Sequence, residues 1–141
     1  MLYKISQWMD IERHYYGGTI LLGNGASIAV SPNFNYSSLL GNAMQKGLFS
    51  EGIEKLFRSF NTTDFEFILR RVWQAFEVNK LLRVFDRRSI QAYENIKRGL
   101  IQAVHNVHPE YESIKHKLPD MYYFLRKFNT VFSLNYDLLT Y

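Results

Sequence analysis

The chain has no cysteine among its 141 residues. Disulfides, thiolate metal sites and cysteine nucleophiles are therefore excluded, and a reducing compartment suits such a sequence. Long apolar runs are missing too, because none approaches the roughly 20 residues that span a bilayer. The first residues, Met1-Leu2-Tyr3-Lys4, lack the charged and apolar regions of a secretion signal. We therefore expect a cytoplasmic protein that has no membrane partner.

Charge of one sign is only slightly in excess. Seventeen Lys and Arg residues against thirteen Asp and Glu residues give a formal net charge of +4. Because the excess is spread along the chain, the composition does not indicate nucleic acid as a partner. The densest basic patch, Arg83 with Arg87 and Arg88, also contains Asp86. We interpret it as a solvated loop between two helices, with an anion site as the alternative.

One short stretch combines a β-type run with a glycine turn. Thr19 to Leu22 has almost no polar alternation, which predicts a strand covered on both faces of a parallel sheet. It runs into Gly23-Asn24-Gly25-Ala26-Ser27. Glycines at alternate positions permit positive φ, remove Cβ atoms that would block a ligand, and leave backbone N–H groups for an anion. The turn is therefore a candidate phosphate-binding loop, although a structural turn could use the same glycines.

The following residues are almost wholly helical by pattern. Asn35 and Ser50 are predicted caps, and Thr63-Asp64-Phe65-Glu66 has the form of a capping box. Ala26 to Val30 is compatible with a helical turn or with a strand. Aromatic residues, 16% of the chain, fall largely at helical spacing, which favours packing over a stacking surface for bases. The clearest helices are predicted at residues 51–60, from 63 to about 82, from Ser89 to about 108, and at 119–128.

A second β-type run, Thr130 to Leu134, ends in Asn135-Tyr136-Asp137. In open α/β sheets, ligands bind outside the carboxyl ends of the strands. If the two strands are parallel neighbours, both turns therefore face one crevice. A pyrophosphate would then approach the glycines, while the Asn amide and the Asp carboxylate could bind ribose hydroxyls. An adenine dinucleotide is the expected ligand, and simple capping of a turn by Asn135 and Asp137 is the alternative.

This combination of motifs resembles the sirtuin-type NAD-binding fold, and more closely the sirtuin-like proteins of bacteria. One uncharacterised group of these begins with Leu-Leu-Gly-Asn-Gly. The resemblance implies a partial, Rossmann-like α/β fold that is mostly helical, with few parallel strands and a helical insertion between the two motif strands. It also implies NAD hydrolysis in anti-phage defence. The segments that carry it are Leu21-Leu22-Gly23-Asn24-Gly25, Phe34-Asn35-Tyr36-Ser37-Ser38-Leu39, Thr62-Thr63-Asp64-Phe65-Glu66 and Asn135-Tyr136-Asp137.

The resemblance also implies roles for individual residues. Gly23, Asn24, Gly25, Ala26 and Ser27 would hold the pyrophosphate and the nearby ribose of NAD. Asn135 would be the catalytic amide that positions water or the nicotinamide ribose, and Asp137 would bind ribose. No metal is expected. His105 and His108 stand at i, i+3 spacing, but no third ligand accompanies them.

In sirtuin-type enzymes a catalytic His and further strands follow the Asn-x-Asp strand, whereas this chain ends at Tyr141. Two strands do not make an independently stable sheet. We therefore expect a single domain, residues 1–141, that is incomplete at its C-terminus, with its activity as an enzyme left open. A longer protein, a homo-oligomer or a second chain would supply the missing strands. The alternative function is a non-catalytic, truncated protein that binds or regulates a partner chain through its open sheet edge.

Overall fold

A computed structural model describes residues 5–137 and residue 139. Helices dominate these residues and two short strands accompany them, so the predicted mixed α/β class is confirmed. The helices are α1 Trp8–Ile11, α2 Asn24–Val30, α3 Tyr36–Gln45, α4 Glu51–Ser59, α5 Phe65–Leu81, α6 Arg87–Val107, α7 Tyr111–Ile114 and α8 Leu118–Leu125. The strands are β1 Thr19–Leu22 and β2 Thr130–Ser133, and short 3-10 helices occupy Glu12–Tyr15 and Pro32–Phe34.

Contacts between residues divide the described chain into two units. The first unit comprises the described residues before Pro32 and after His108, and it holds both strands with α1, α2, α7 and α8. The second unit, Pro32–His108, holds α3 to α6. That the chain forms a single domain stays a prediction.

The two strands are parallel neighbours. Thr19 pairs with Thr130 and Leu22 pairs with Ser133. Beyond β2, the Leu134 N–H donates to the Leu22 carbonyl over 2.9 Å. In the described chain the sheet contains these two strands alone. The expected parallel arrangement is therefore confirmed, and it brings the carboxyl ends of both strands to one edge.

One face of the sheet is exposed, contrary to the prediction that both faces are covered. Leu21 is 61% exposed, and its register partner Phe132 is exposed as well. Leu22, on the opposite face, is buried. The prediction was wrong because an apolar run shows that a strand can be buried but not whether a second layer is present.

Helix α2 resolves the ambiguity at Ala26 to Val30 in favour of a helix. Its last turn is held by Lys117, whose Nζ donates to the carbonyls of Val30 over 2.8 Å and Ala29 over 3.3 Å. A cation suits this position, because the last carbonyls of a helix lack partners within the helix. The contact joins α2 to the residue that precedes α8.

Nearly all of the buried apolar side chains lie in the second unit. Helix α6 packs against both α3 and α5. Phe49, Phe57 and Phe65 form an aromatic cluster with ring centroids 5.1 to 6.1 Å apart. The other members of this core are Phe34, Leu39, Leu40, Ala43, Ile53, Ile68, Leu69, Val72, Ile96, Leu100, Ala103 and Val104.

The helix starts differ from the prediction in two places. Asp64, not Thr63, caps α5, since its carboxylate accepts from the Phe67 N–H over 2.9 Å. The predicted capping box was wrong because Glu66 accepts instead from the Tyr36 hydroxyl. Helix α6 begins at Arg87 rather than at Ser89, with Asp86 as its cap. The predicted cap Asn35 is confirmed, since its Oδ1 accepts from the Ser38 N–H over 2.8 Å.

Candidate functional site

The two strand ends meet through a chain of side-chain hydrogen bonds. Ser27, in α2, donates its hydroxyl proton to Oδ2 of Asp137 over 2.5 Å. Asn135, just after β2, donates from Nδ2 to the Ser27 hydroxyl oxygen over 2.7 Å. Ser27 and Asn135 are 108 positions apart in the sequence, and the parallel pairing of β1 with β2 brings them together.

The direction of these bonds fixes how the Asn135 amide is oriented. A serine hydroxyl has one proton, and here it points to the carboxylate of Asp137. Ser27 can therefore only accept from Asn135, which must present its NH₂ group. The Oδ1 of Asn135 is turned away, is buried, and has no hydrogen-bond partner among the described residues.

Asp137 is enclosed by its own part of the chain. It is 3% exposed, and Ser27 is 2% exposed. The second carboxylate oxygen of Asp137 accepts from the Leu139 N–H over 3.0 Å. Asp137 thus stabilises the turn after β2 in this structure, and a ribose hydroxyl would reach it only after a shift of that turn.

The glycines of the loop contribute space rather than unusual backbone angles. Gly23 has a φ of −106°, and the glycines with positive φ are Gly17 and Gly47, which lie elsewhere. The loop therefore does not use the positive φ that its glycines permit. A Cβ atom placed on Gly23 or Gly25 would meet nothing within 4 Å. Open space beside both glycines leaves room for a ligand to approach the backbone.

The backbone donors of the loop are only partly available. The Ala26 N–H donates to the Gly23 carbonyl over 3.0 Å and so closes the turn itself. Asn24 is half-buried and has an interaction within the chain. No residue from Gly23 to Ser27 carries a charge. Any phosphate at this loop would depend on the remaining backbone N–H groups and on small polar side chains.

A cleft of about 320 Å³ lies next to the loop, between α2 and α8. This volume falls at the lower end of the range for small-molecule sites. Lys117 and Asp120 contribute its charged groups. Sequence reasoning missed the cleft, although the small residues at i, i+3 on α2 were a signal for it. Its apolar lining includes Leu22, Ala26, Ala29, Met121, Phe124 and Leu125.

A half-buried ion pair of the first unit lies at the other end of the sheet. Lys127 and Glu12 form a salt bridge just before the strands begin. The hydrogen bond from Lys127, with a second from Tyr16, lowers the pKa of Glu12, and the same contact with Glu12 raises the pKa of Lys127. This pair therefore stabilises the amino ends of the strands and does not take part in the candidate site.

The two spaced histidines are not grouped with other ligands. His105 lies in the last turn of α6, whereas His108 follows the helix and packs the edge of its ring against Phe34, with centroids 6.0 Å apart. Within the described ranges, no three side chains of His, Asp or Glu are placed to share a metal ion. None of the described helices is long and apolar enough to cross a membrane.

The fold and the site define a mixed α/β protein with polar side chains converging at the carboxyl ends of two parallel strands. Residues 20–141 match the model of DUF4917, a domain of unknown function, and the chain belongs to that family. No curated protein and no solved structure matches the chain. The family assignment therefore brings no activity with it, and the sirtuin-like resemblance stays a prediction.

Proposed function

We propose that the chain is the NAD-binding module of a sirtuin-like NAD hydrolase that acts in anti-phage defence. NAD, or its product ADP-ribose, would lie across the carboxyl ends of β1 and β2 (Thr19–Leu22 and Thr130–Ser133). The observation that carries the proposal is the Oδ1 atom of Asn135, which is buried and lacks a partner among the described residues.

A buried carbonyl oxygen without a hydrogen bond costs about 1–3 kcal/mol of stability. A turn selected only for structure would be expected to satisfy that oxygen. At a ligand site, by contrast, a shift of the turn after β2 would open this oxygen, which would then accept from a ribose hydroxyl or from a water molecule next to the ribose. The bond from Asn135 to Ser27 holds the amide in the orientation that this role requires.

Two further features agree with a nucleotide. The space beside Gly23 and Gly25 admits a group close to the backbone, as a pyrophosphate requires. The neighbouring cleft between α2 and α8 is mostly apolar and could receive part of a ring system. The proposal assigns pyrophosphate contacts to Gly23–Ser27 and the catalytic amide to Asn135. It assigns ribose contacts to Asp137 after a shift of the turn that now encloses this side chain.

The test is the stabilisation of the protein by NAD and by ADP-ribose. At a ligand concentration of about 100 times Kd, one site stabilises the folded state by about 2.7 kcal/mol. We expect Asn135→Ala to remove most of the ligand-dependent rise in Tm. Asn95→Ala, at an exposed asparagine of α6, is the matched control and should keep it. In cells that produce the protein, Asn135→Ala should also abolish loss of cellular NAD.

A second candidate is a non-catalytic module that binds a partner chain through its open sheet. The exposed apolar pair Leu21 and Phe132 favours it, because such a face in a sheet is usually covered. Phe132→Glu should then dissociate the complex in sedimentation velocity. Dissociation by Phe132→Glu, combined with no response of Tm to NAD or ADP-ribose, would reject the first candidate in favour of the second.

A further inference from the structure

The end of the helical hairpin formed by α5 and α6 exposes large apolar side chains. We define the hairpin tip as residues 78–88, which include the end of α5, the connecting loop and the start of α6. Leu81 is 80% exposed and Phe85 is 84% exposed. Val78, Leu82 and Val84 are also exposed. Residues 78, 81 and 82 have the spacing of a buried helix face, so their exposure is not explained by packing within the described chain.

The same tip is strongly basic. Four cations, Lys80, Arg83, Arg87 and Arg88, stand in these eleven residues with one carboxylate, Asp86, which leaves a net charge of +3. The carboxylate is already engaged within the chain. It accepts from Asn79 Nδ2 over 2.6 Å and from the Arg88 and Ser89 N–H groups over 2.9 and 3.2 Å. Asp86 therefore caps α6. Among the described residues, no side chain of the tip forms an ion pair with any of the four cations.

Arg83 occupies a position at which the backbone favours glycine. Its φ is +57°. The N–H groups of Arg83 and Val84 donate to carbonyls in the last turn of α5. Glycine is the usual residue at such a helix end, because a Cβ is disfavoured in the left-handed region. A cation is thus present here despite its backbone cost. The Arg87 guanidinium, 5.2 Å from the centroid of the Phe85 ring, adds a second cation beside an exposed apolar group.

From these contacts we propose that the hairpin tip docks on the surface of an anionic membrane. Leu81, Leu82 and Phe85 would enter the interface between headgroups and acyl chains, and the four cations would contact lipid phosphates. The side chains protrude from the end of a hairpin, which suits insertion into a lipid surface. On a nucleic acid the cations would contact phosphates, but the exposed aliphatic groups would be covered only by entering between unstacked bases, whereas the interface of a lipid surface receives them directly. Docking of this kind departs from the sequence-based expectation that the chain has no membrane partner, although it needs no membrane-spanning helix. It is independent of the nucleotide proposal.

The test is flotation of the full chain with lipid vesicles. Vesicles of phosphatidylcholine alone are compared with vesicles in which phosphatidylserine replaces part of it. We expect binding to the anionic vesicles only, and weaker binding as the NaCl concentration rises. Leu81→Gln combined with Phe85→Gln should abolish binding without loss of the folded state, since both side chains are exposed.

Arg83→Gly separates the proposed role of the charge from any role in folding. This change should weaken vesicle binding about fivefold, while Tm stays the same or rises because glycine accepts the positive φ. Arg98→Gln, which removes an exposed cation from the middle of α6, is the control and should bind as the wild type does.

Three outcomes would overturn the proposal. Equal binding to neutral and anionic vesicles, or unchanged binding by the Leu81 and Phe85 double variant, would contradict it directly. The third is self-association, in which the wild-type chain forms a dimer in sedimentation velocity, the double variant is a monomer, and neither floats with vesicles. In that case the tip is an interface between two copies of this chain.

Discussion

Replacing Ser27 by alanine tests the hydrogen bonds that join the two strand ends. The hydroxyl of Ser27 donates to Asp137 and accepts from Asn135, and both Ser27 and Asp137 are buried. Ser27→Ala replaces the hydroxyl group by a hydrogen atom, so one donor and one acceptor are lost and two hydrogen bonds are broken. It leaves Oδ2 of Asp137 and Nδ2 of Asn135 without their present partner.

The magnitude follows from the two bonds that are lost. A hydrogen bond between neutral groups contributes about 1 kcal/mol and one to a charged group about 1.5–3 kcal/mol, so we expect Ser27→Ala to cost roughly 2–4 kcal/mol. A water molecule that entered the vacated space would reduce this cost toward the lower value. For a chain of this size the change corresponds to a decrease in Tm of roughly 10 °C.

Urea denaturation followed by circular dichroism measures this change. Hydrogen exchange at the amides of β2 would locate it, because these amides lie next to the altered contact. Ser31→Ala is the matched control, since Ser31 is a buried serine of the same unit that lies outside the Ser27, Asn135 and Asp137 bonds. If Ser27→Ala loses less than about 1 kcal/mol, or no more than Ser31→Ala, the bonds at the strand ends do not stabilise the fold, and the reasoning is refuted.

Two further predictions concern the second unit. Gly99→Ala should destabilise the protein by about 1–3 kcal/mol, as overpacking does, because its Cβ would lie 2.1 Å from Cε1 of Phe49. Gly41→Ala should stabilise the protein, because a Cβ there would meet nothing within 4 Å. Changes in Tm of the same sign for the two variants would contradict this prediction. Hydrogen bonds from Ser89 and Asn79 lower the pKa of Asp86 from 3.8 to about 2. The stabilisation by the Asp86 carboxylate is therefore present above pH 3.8 and lost toward pH 2. The difference in Tm between the wild type and Asp86→Ala should close in that pH window. A constant difference would show that the charge of the carboxylate is irrelevant.

Local sequence patterns were sufficient for the first strand. Thr19–Leu22 was predicted with its observed bounds, because an apolar β-type run ends abruptly at Gly23. The parallel pairing, which was the condition for a shared crevice, is observed, and the helical stretch between the two runs is the long crossover connection that parallel strands need. The meeting of Ser27 with Asn135 and Asp137 follows from that pairing.

Other features depend on contacts that no local pattern contains. Thr63 and Asp64 are both competent caps, and the choice between them depends on Glu66, which bonds to Tyr36, 30 positions away. The exposure of Leu21 depends on whether another layer covers the sheet. In the same way, Arg83 was correctly placed in a loop, whereas Arg87 and Arg88 lie in the first turn of α6. The exposure of the apolar residues around Arg83 became visible only with the end of the hairpin defined.

The structure also changes which residue supports a ligand at the strand ends. In the sequence the glycines were the stronger signal, yet Gly23 has an ordinary φ and the Ala26 N–H is used within the turn. Ser27 and Asp137 are accounted for by their bond to each other. The Oδ1 of Asn135 is not accounted for by any described neighbour. Because an unsatisfied buried acceptor lowers stability, its retention is the feature that a bound hydroxyl would explain, and Asn135 is therefore the first position to vary in a search for the ligand.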